Sequence, residues 1–76
     1  MCELVLIFSR CEKKVNKDYQ FHFKGYYQGH RIKNLLAQTL IYQHIELHQN
    51  YLLWSKKLEL NNGVLRVKII KYKKIN

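Results

Sequence analysis

Residues 51–73 read YLLWSKKLELNNGVLRVKIIKYK, two stretches of alternating apolar residues that meet at Asn62-Gly63. Asn-Gly suits the two left-handed positions of a type I′ turn, whose twist matches that of the flanking strands. The sequence therefore predicts a β-hairpin with strands at residues 51–60 and 64–72. The apolar parity changes along the first strand, and a bulge near residues 55–57 would reconcile its two halves.

The second strand of this hairpin is basic on one side. Its aliphatic residues from Leu65 to Ile69 alternate on the face that we expect to point inward. The turn sets the register, and a slip of one residue would bury the charged side chains. The predicted outward face therefore comprises Arg66, Lys68, Ile70, Tyr72 and Lys74.

Two more strands are predicted upstream. Residues 3–10 carry apolar side chains on both faces, so both faces are expected to be at least partly covered. Residues 19–24 alternate aromatic and polar side chains, the pattern of a half-buried strand. The charged residues 12–18 predict a connection, and the glycine-bracketed residues 25–29 predict a bend or short loop.

Residues 31–47 are ambiguous. Ile32, Leu35 and Leu36 fit helical spacing, whereas the β-branched and aromatic residues that follow favour a strand. Periodicity alone does not separate these two alternatives. We favour a strand with a break near Tyr42-Gln43 over a helix of about three turns.

The order of these elements resembles that of the OB-fold, or of an SH3-like small barrel, over the whole chain. The resemblance rests on strand spacing, and it implies a mostly β, five-stranded barrel that binds its ligand on an open strand face and the adjoining loops. The helix that many OB-folds carry between their third and fourth strands is missing or reduced in this sequence. The alternative is an α+β domain in which a helix at about residues 31–45 packs on an antiparallel sheet.

The length and the charge of the chain indicate its domain number and the kind of ligand that it attracts. A chain of 76 residues has room for one domain, residues 1–76, and its small core makes a homodimer a reasonable expectation. Fourteen Lys and Arg residues oppose five acidic ones, a formal charge of +9 that attracts phosphate. Residues 55–76 hold seven of the basic residues and one acid, so the charge is concentrated on the predicted hairpin.

The cysteines and the apolar segments of the sequence indicate the cellular compartment. Cys2 and Cys11 do not form the dense cysteine framework of a small secreted domain. The apolar run at residues 4–8 is too short for a signal peptide or a membrane span. We therefore expect a cytoplasmic protein without a membrane partner.

The predicted function is non-enzymatic binding of nucleic acid, with single-stranded DNA or RNA preferred over duplex. Lysines would neutralise phosphates while tyrosines offer flat faces on which bases stack. Tyr26 and Tyr27 are expected in a loop beside basic side chains, where aromatic residues often bind ligands. The candidate nucleic-acid-binding residues are Lys24, Tyr26, Tyr27, Arg31, Lys56, Lys57, Arg66, Lys68, Lys71, Tyr72, Lys73 and Lys74.

Two other functions remain open. The first is a protein-interaction module or inhibitor that docks through an exposed strand edge on an acidic or RNA-containing partner. The second is a small, metal-independent toxin-type endoribonuclease, which would use His22, His30, Arg31, Tyr26 and Lys24. His44 and His48 lack the further ligands of a zinc site, so no metal and no cofactor are predicted.

Overall fold

Five strands form a closed β-barrel. The computed structural model describes residues 4–38 and 44–75. The strands are β1 (Leu4–Val15), β2 (Asp18–Tyr27), β3 (His30–Gln38), β4 (Asn50–Asn61) and β5 (Val64–Ile75). They close in the order β1-β2-β3-β5-β4, with β4 paired to β1. The predicted mostly β, five-stranded barrel is therefore confirmed.

The strand connections distinguish between an OB-like and an SH3-like barrel. Strands β1, β2 and β3 form an antiparallel meander, and β5 then lies parallel to β3 and antiparallel to β4. This Greek-key arrangement agrees with the OB-like alternative. It also places the β2–β3 and β4–β5 turns at the same end of the barrel.

The alternative helix at residues 31–45 is wrong for its first part. Ile32, Leu35 and Ala37 lie in β3 and are buried in the core. Hydrogen bonding to β2 on one side and to β5 on the other satisfies this backbone, and such pairing overrides a helix-compatible composition. The predicted break near Tyr42-Gln43 falls outside the described residues.

Two of the predicted connections are shorter than expected. Strand β1 continues to Val15 and β2 starts at Asp18, so the charged residues 12–18 belong largely to a hairpin that turns where Asn16 has φ 56°. Strand β2 likewise continues to Tyr27, and the chain turns at Gln28-Gly29, with φ values of 52° and 80°. The predicted loop at residues 25–29 is therefore wrong as to its extent.

Gly25 lies within β2 for a reason unrelated to turning. A Cβ atom at this position would lie 2.9 Å from Cζ of Phe23, whose ring packs against the core. Glycine inside a strand often marks such a close approach. The prediction that Gly25 begins a loop is therefore wrong, and its role is to admit the Phe23 ring.

The barrel interior receives apolar side chains from all five strands. Phe21 and Tyr51 meet edge to face near its centre, with ring centroids 6.4 Å apart. The expectation that both faces of β1 are covered is wrong, because the barrel has a single interior and the outward side chains of this strand remain exposed. The buried apolar residues of the strands are Val5, Ile7, Cys11, Tyr19, Phe21, Ile32, Leu35, Ala37, Tyr51, Leu53, Leu65, Val67 and Ile69.

The β4–β5 hairpin turns at Asn62-Gly63, as predicted, with φ values of 50° and 79°. The expected bulge near residues 55–57 is bracketed by two irregularities in the pairing, one between Trp54 and Ser55 and one between Lys57 and Glu59. At the first, Trp54 and Ser55 pair with Lys71 and Ile69, so β5 has one more residue than β4 across this step.

The extra residue in β5 reverses the predicted orientation of the end of that strand. Tyr72 packs against the core, with its ring centroid 5.9 Å from that of Tyr51. The prediction that Tyr72 faces outward with Arg66 and Lys68 is therefore wrong. Lys71 and Lys73 take the outward positions instead.

Candidate nucleic-acid interface

An exposed tyrosine and an arginine lie side by side where β2 and β3 approach their shared turn. Tyr26 and Arg31 are directly opposite in the antiparallel register. The adjacent pair, Gly25 and Ile32, places the buried Ile32 inside the barrel. Successive side chains of a strand alternate between faces, so Tyr26 and Arg31 both point outward. The side chain of Tyr26 is 72% exposed.

Two exposed lysines flank this pair. Lys24 precedes Tyr26 on β2, at the irregularity in the pairing between His22 and Gly25. Lys33 follows Arg31 on β3, and its Cγ would lie 3.3 Å from a Cβ atom at Gly63, so its stem runs beside the β4–β5 turn. We call the set Lys24, Tyr26, Arg31 and Lys33 the tyrosine face.

Lys33 was not among the predicted site residues. Lys33 lies next to the core residue Ile32, in the segment 31–47 that fits both a helix and a strand. Because the two structures would point its side chain in different directions, the sequence did not predict which way Lys33 faces. In the structure the backbone amides of Lys33 and Asn34 both donate to the carbonyl of Gly63, at 2.6 and 3.3 Å. These bonds hold the β4–β5 turn against the tyrosine face.

Tyr27 and Lys57 lie at the same end of the barrel and contact each other. Lys57 Nζ is 5.8 Å from the centroid of the Tyr27 ring, and that ring packs against the core. The expectation that Tyr27 is a loop aromatic is therefore wrong, since it ends β2 and faces inward. Lys57 and Arg31 line one cleft beside the β4–β5 turn.

Arg66 is neutralised within the barrel wall. Its Nη1 lies 3.2 Å from Oδ2 of Asp18, and its Nε lies 3.4 Å from Oε1 of Glu59. Two carboxylates therefore surround a guanidinium that was predicted to bind phosphate. A phosphate would have to displace one of them, so the geometry does not favour Arg66 as a phosphate ligand.

Lys74 is paired as well. Its Nζ donates a hydrogen bond to Oε2 of Glu46 at 2.5 Å, and this bond raises the pKa of Lys74. The backbone amide of Glu46 in turn donates to the Tyr51 hydroxyl at 2.7 Å. Lys74 therefore ties the segment before β4 to the end of β5.

Four other predicted lysines lie on β4 and β5, outside the tyrosine face. Lys71 Nζ lies 4.9 Å from the Trp54 ring centroid. Lys56 and Lys68 are a cross-strand pair, and Lys73 pairs with Leu52. The predicted set of twelve residues is therefore divided between two surfaces, and four of its members are engaged internally: Tyr27, Arg66, Tyr72 and Lys74.

The group predicted for a ribonuclease is spread along the β2–β3 ladder. Tyr26, Arg31 and Lys24 are close together, but His22 is registered opposite Asn34, whereas His30 is registered opposite Tyr27. Five residues of β2 separate the two positions, about 16 Å along an extended strand. Within residues 4–38 and 44–75, no three His, Cys, Asp or Glu side chains form a group that could hold a metal ion.

Comparison of the chain with protein-family models, curated proteins and solved structures finds no match. The assignment of the barrel therefore rests on its own strand order and pairing. In the described part of the chain, no helix is long and apolar enough to cross a membrane.

Proposed function

We propose that the protein is a non-enzymatic module that binds single-stranded DNA or RNA on the tyrosine face. The observation that carries the proposal is the exposed Tyr26 ring registered directly opposite Arg31. A base stacked on an aromatic ring beside a cation is the recurring unit of single-strand binding. In the described part of the chain, none of the three cations of this face lies within ion-pair distance of an acid.

Position in the fold supports the same proposal. OB-folds bind oligonucleotides on the face of their second and third strands, together with the loops after the first and fourth. The tyrosine face occupies β2 and β3, and the Lys33 stem borders the β4–β5 turn. The resemblance and the local chemistry therefore indicate the same surface.

Each side chain has a distinct role in this proposal. Tyr26 stacks on one base, while the guanidinium of Arg31 binds the adjoining phosphate in a bidentate manner. Lys24 and Lys33 neutralise phosphates on either side of that contact. Bases in a duplex are stacked on one another and do not expose a face to Tyr26, so a single strand is preferred.

Fluorescence anisotropy with a labelled single-stranded oligonucleotide tests the proposal. Loss of one stacking contact costs about 1–3 kcal/mol, so Tyr26→Ala should weaken binding by about fivefold to a hundredfold. Tyr26→Phe should retain most of the affinity, because it keeps the ring. Phe8→Ala is the matched control, since Phe8 is 68% exposed but lies on β1, away from this face.

The salt dependence tests the phosphate contacts separately. For single strands the slope of log K against log salt is about −0.7 per neutralised phosphate, so Lys24→Gln should make the slope less steep by about 0.7. Binding that is absent even at low salt would contradict the proposal. Equal losses in Tyr26→Ala and Phe8→Ala would also contradict it, because they would indicate non-specific attraction or general destabilisation.

A non-enzymatic role has its own test. RNA incubated with the protein should be recovered intact under conditions in which the complex forms. We also propose a reducing cytoplasm as the working compartment, because Cys11 is a buried free thiol.

A further inference from the structure

A second surface of the barrel combines exposed apolar side chains with lysines. Leu4, Leu6 and Phe8 project outward from β1 and are 55%, 57% and 68% exposed. They form a column along the strand, spaced about 7 Å apart because alternate residues share a face. Scattered exposed apolar residues are common, but a contiguous set of this kind marks an interaction site.

The pairing of β1, β4 and β5 arranges these residues in three parallel rows. Across the three strands the rows are Phe8–Leu52–Lys73, Leu6–Trp54–Lys71 and Leu4–Lys56–Lys68. Each row begins with an apolar residue on β1 and ends with a lysine on β5. We call these nine residues the apolar–lysine face.

We propose that the apolar–lysine face docks an acidic amphipathic helix of a protein partner. Adjacent strands lie about 4.8 Å apart, so the apolar column on β1 and the lysines on β5 are about 10 Å apart. This separation matches the diameter of an α-helix. A helix lying along the strands would place an apolar stripe over β1 and β4, and carboxylates on its flank over β5.

The charge of the face selects an acidic partner. Four of its nine residues are lysines, and no described acid is registered within its three rows. Burial of the exposed apolar column against apolar groups of a partner is favourable, and carboxylates of the partner would pair with the lysines. A second copy of this chain would supply apolar groups, but it would also add a further formal charge of +9. Self-association is therefore disfavoured.

The same residues argue against nucleic acid on this face. Trp54 is half-buried, and the Lys71 ammonium lies 4.9 Å from its ring centroid, so a base could stack there only by displacing Lys71. Leu4 and Leu6 have no flat surface for stacking. Their burial favours the apolar stripe of a helix.

A bilayer also fits this face less well than a helix. Lysine side chains reach further from a strand than leucine side chains, and they keep their ammonium groups in water. On one sheet face a membrane would meet Lys68, Lys71 and Lys73 before Leu4 and Leu6. A helix can place its carboxylates where the ammonium groups lie and its leucines closer to the sheet.

Trp54 provides a built-in probe, because it is the sole tryptophan of the chain and belongs to this face. The ligand is a synthetic helical peptide with leucines at i, i+3, i+4 and i+7 and glutamates along one flank. Binding should shift Trp54 emission to shorter wavelength and reduce its quenching by acrylamide. A matched peptide with glutamine in place of glutamate should bind at least tenfold more weakly.

Variants locate the contact. Leu6→Ser should weaken peptide binding at least tenfold, and Lys73→Gln should weaken binding of the glutamate peptide but not of the glutamine peptide. Both side chains are exposed, and unchanged thermal unfolding would show that the barrel is intact. Tyr26→Ala should leave peptide binding unchanged, since it lies on the tyrosine face.

Four results would overturn the proposal. The first two are an unchanged Trp54 emission at near-millimolar peptide and an equal affinity for the glutamate and glutamine peptides. The other two are wild-type binding by Leu6→Ser and a larger response to phosphatidylglycerol vesicles or to an oligonucleotide than to the peptide. Light scattering that shows a dimer disrupted by Leu6→Ser, together with no peptide binding, would assign the face to a second copy instead.

Discussion

Arg66 on β5 reaches across β3 to Asp18 at the start of β2, with Nη1 3.2 Å from Oδ2. On its other side, Nε lies 3.4 Å from the carboxylate of Glu59 on β4. One guanidinium thereby links three strands of the barrel. The charge that makes β5 resemble a phosphate-binding strand in sequence is, at this position, used to hold the strands together.

Replacing Arg66 with alanine should therefore affect stability more than binding. Partly exposed ion pairs contribute about 0.2–1 kcal/mol each, so Arg66→Ala should lower the free energy of unfolding by about 1 kcal/mol. Its affinity for a single-stranded oligonucleotide should change less than twofold. Urea denaturation followed by circular dichroism measures the first quantity and fluorescence anisotropy the second.

Lys24→Ala is the matched comparison for Arg66→Ala. Lys24 is exposed and has no acid within ion-pair distance among the described residues, so its loss should weaken oligonucleotide binding with little change in stability. If Arg66→Ala lost affinity for the oligonucleotide and Lys24→Ala retained it, the binding site would lie on the β5 side of the barrel and not on the tyrosine face.

Two buried serines should respond in opposite directions to the same substitution. The Ser55 hydroxyl donates a hydrogen bond to the Val5 carbonyl at 3.1 Å, whereas Ser9 Oγ is buried with no hydrogen-bond partner among the described atoms. A net hydrogen bond contributes about 1 kcal/mol, and a buried unsatisfied hydroxyl costs about 1–3 kcal/mol. Ser55→Ala should therefore destabilise the barrel by about 1 kcal/mol, and Ser9→Ala should be neutral or stabilising.

Urea denaturation of these two serine variants checks the signs. Both substitutions remove the same atom from a buried position in a strand, so they serve as controls for each other. Equal destabilisation of the two variants would contradict the assigned difference in hydrogen bonding.

Gly25 should be replaceable only if the ring beside it changes. Gly25→Ala places a Cβ atom 2.9 Å from Cζ of Phe23, so the ring must shift from its place against the core. Overpacking of this kind costs about 1–3 kcal/mol. In the double variant with Phe23→Leu the two effects should be less than additive, and a double-mutant cycle from urea denaturation measures the coupling. Strictly additive losses would indicate that the ring and the glycine act independently.

The hairpin could be predicted from sequence because its turn chemistry is local. Asn62-Gly63 has the residue types that a type I′ turn requires, and the positive φ values follow. Alternation then placed Leu65, Val67 and Ile69 correctly in the core. These predictions depended on neighbouring residues alone.

The orientation of the strand beyond Ile69 could not be predicted in the same way. The extra residue of β5 lies opposite Trp54 and Ser55, which are about 15 positions earlier in the chain, so the irregularity is a property of the pair of strands. It turned Tyr72 into the core and brought Lys71 and Lys73 outward. Tyr72, which alternation placed on the outward face, was therefore assigned to the wrong face.

The arrangement of the two surfaces did not follow from the sequence for a related reason, although Lys24, Tyr26 and Arg31 were among the predicted site residues. Leu6 and Phe8 appear as core residues until the barrel closes and leaves one side of β1 outside. Arg31 and Tyr26 are close in sequence, but their direct opposition depends on the turn at Gln28-Gly29. Closure and strand pairing are long-range properties that composition does not encode by itself.

Cys11 should be unreactive in the native protein and should make stability depend on alkaline pH. Its side chain is fully buried in the barrel, and this burial, with a smaller contribution from the charge of Glu12, raises its pKa from 9.0 to about 11. The thiolate is the reactive form, so a thiol reagent at pH 8 should modify Cys11 only after the barrel unfolds. A Cys2→Ser background leaves Cys11 as the single thiol for this measurement.

The sign of the pH effect follows from where the proton is held. Between about pH 9 and 11 the folded state keeps the Cys11 proton while the unfolded state loses it, so the contribution of this group to stability is complete below pH 9 and declines as pH rises towards 11. Burial also raises the pKa of Tyr19, which acts in the same direction, so the comparison needs Cys11→Val in the same background. The stability difference between the parent and Cys11→Val, from urea denaturation at pH 8, 9.5 and 10.5, should shift towards the valine variant as pH increases. A difference that stays constant over this range would contradict a buried, protonated thiol.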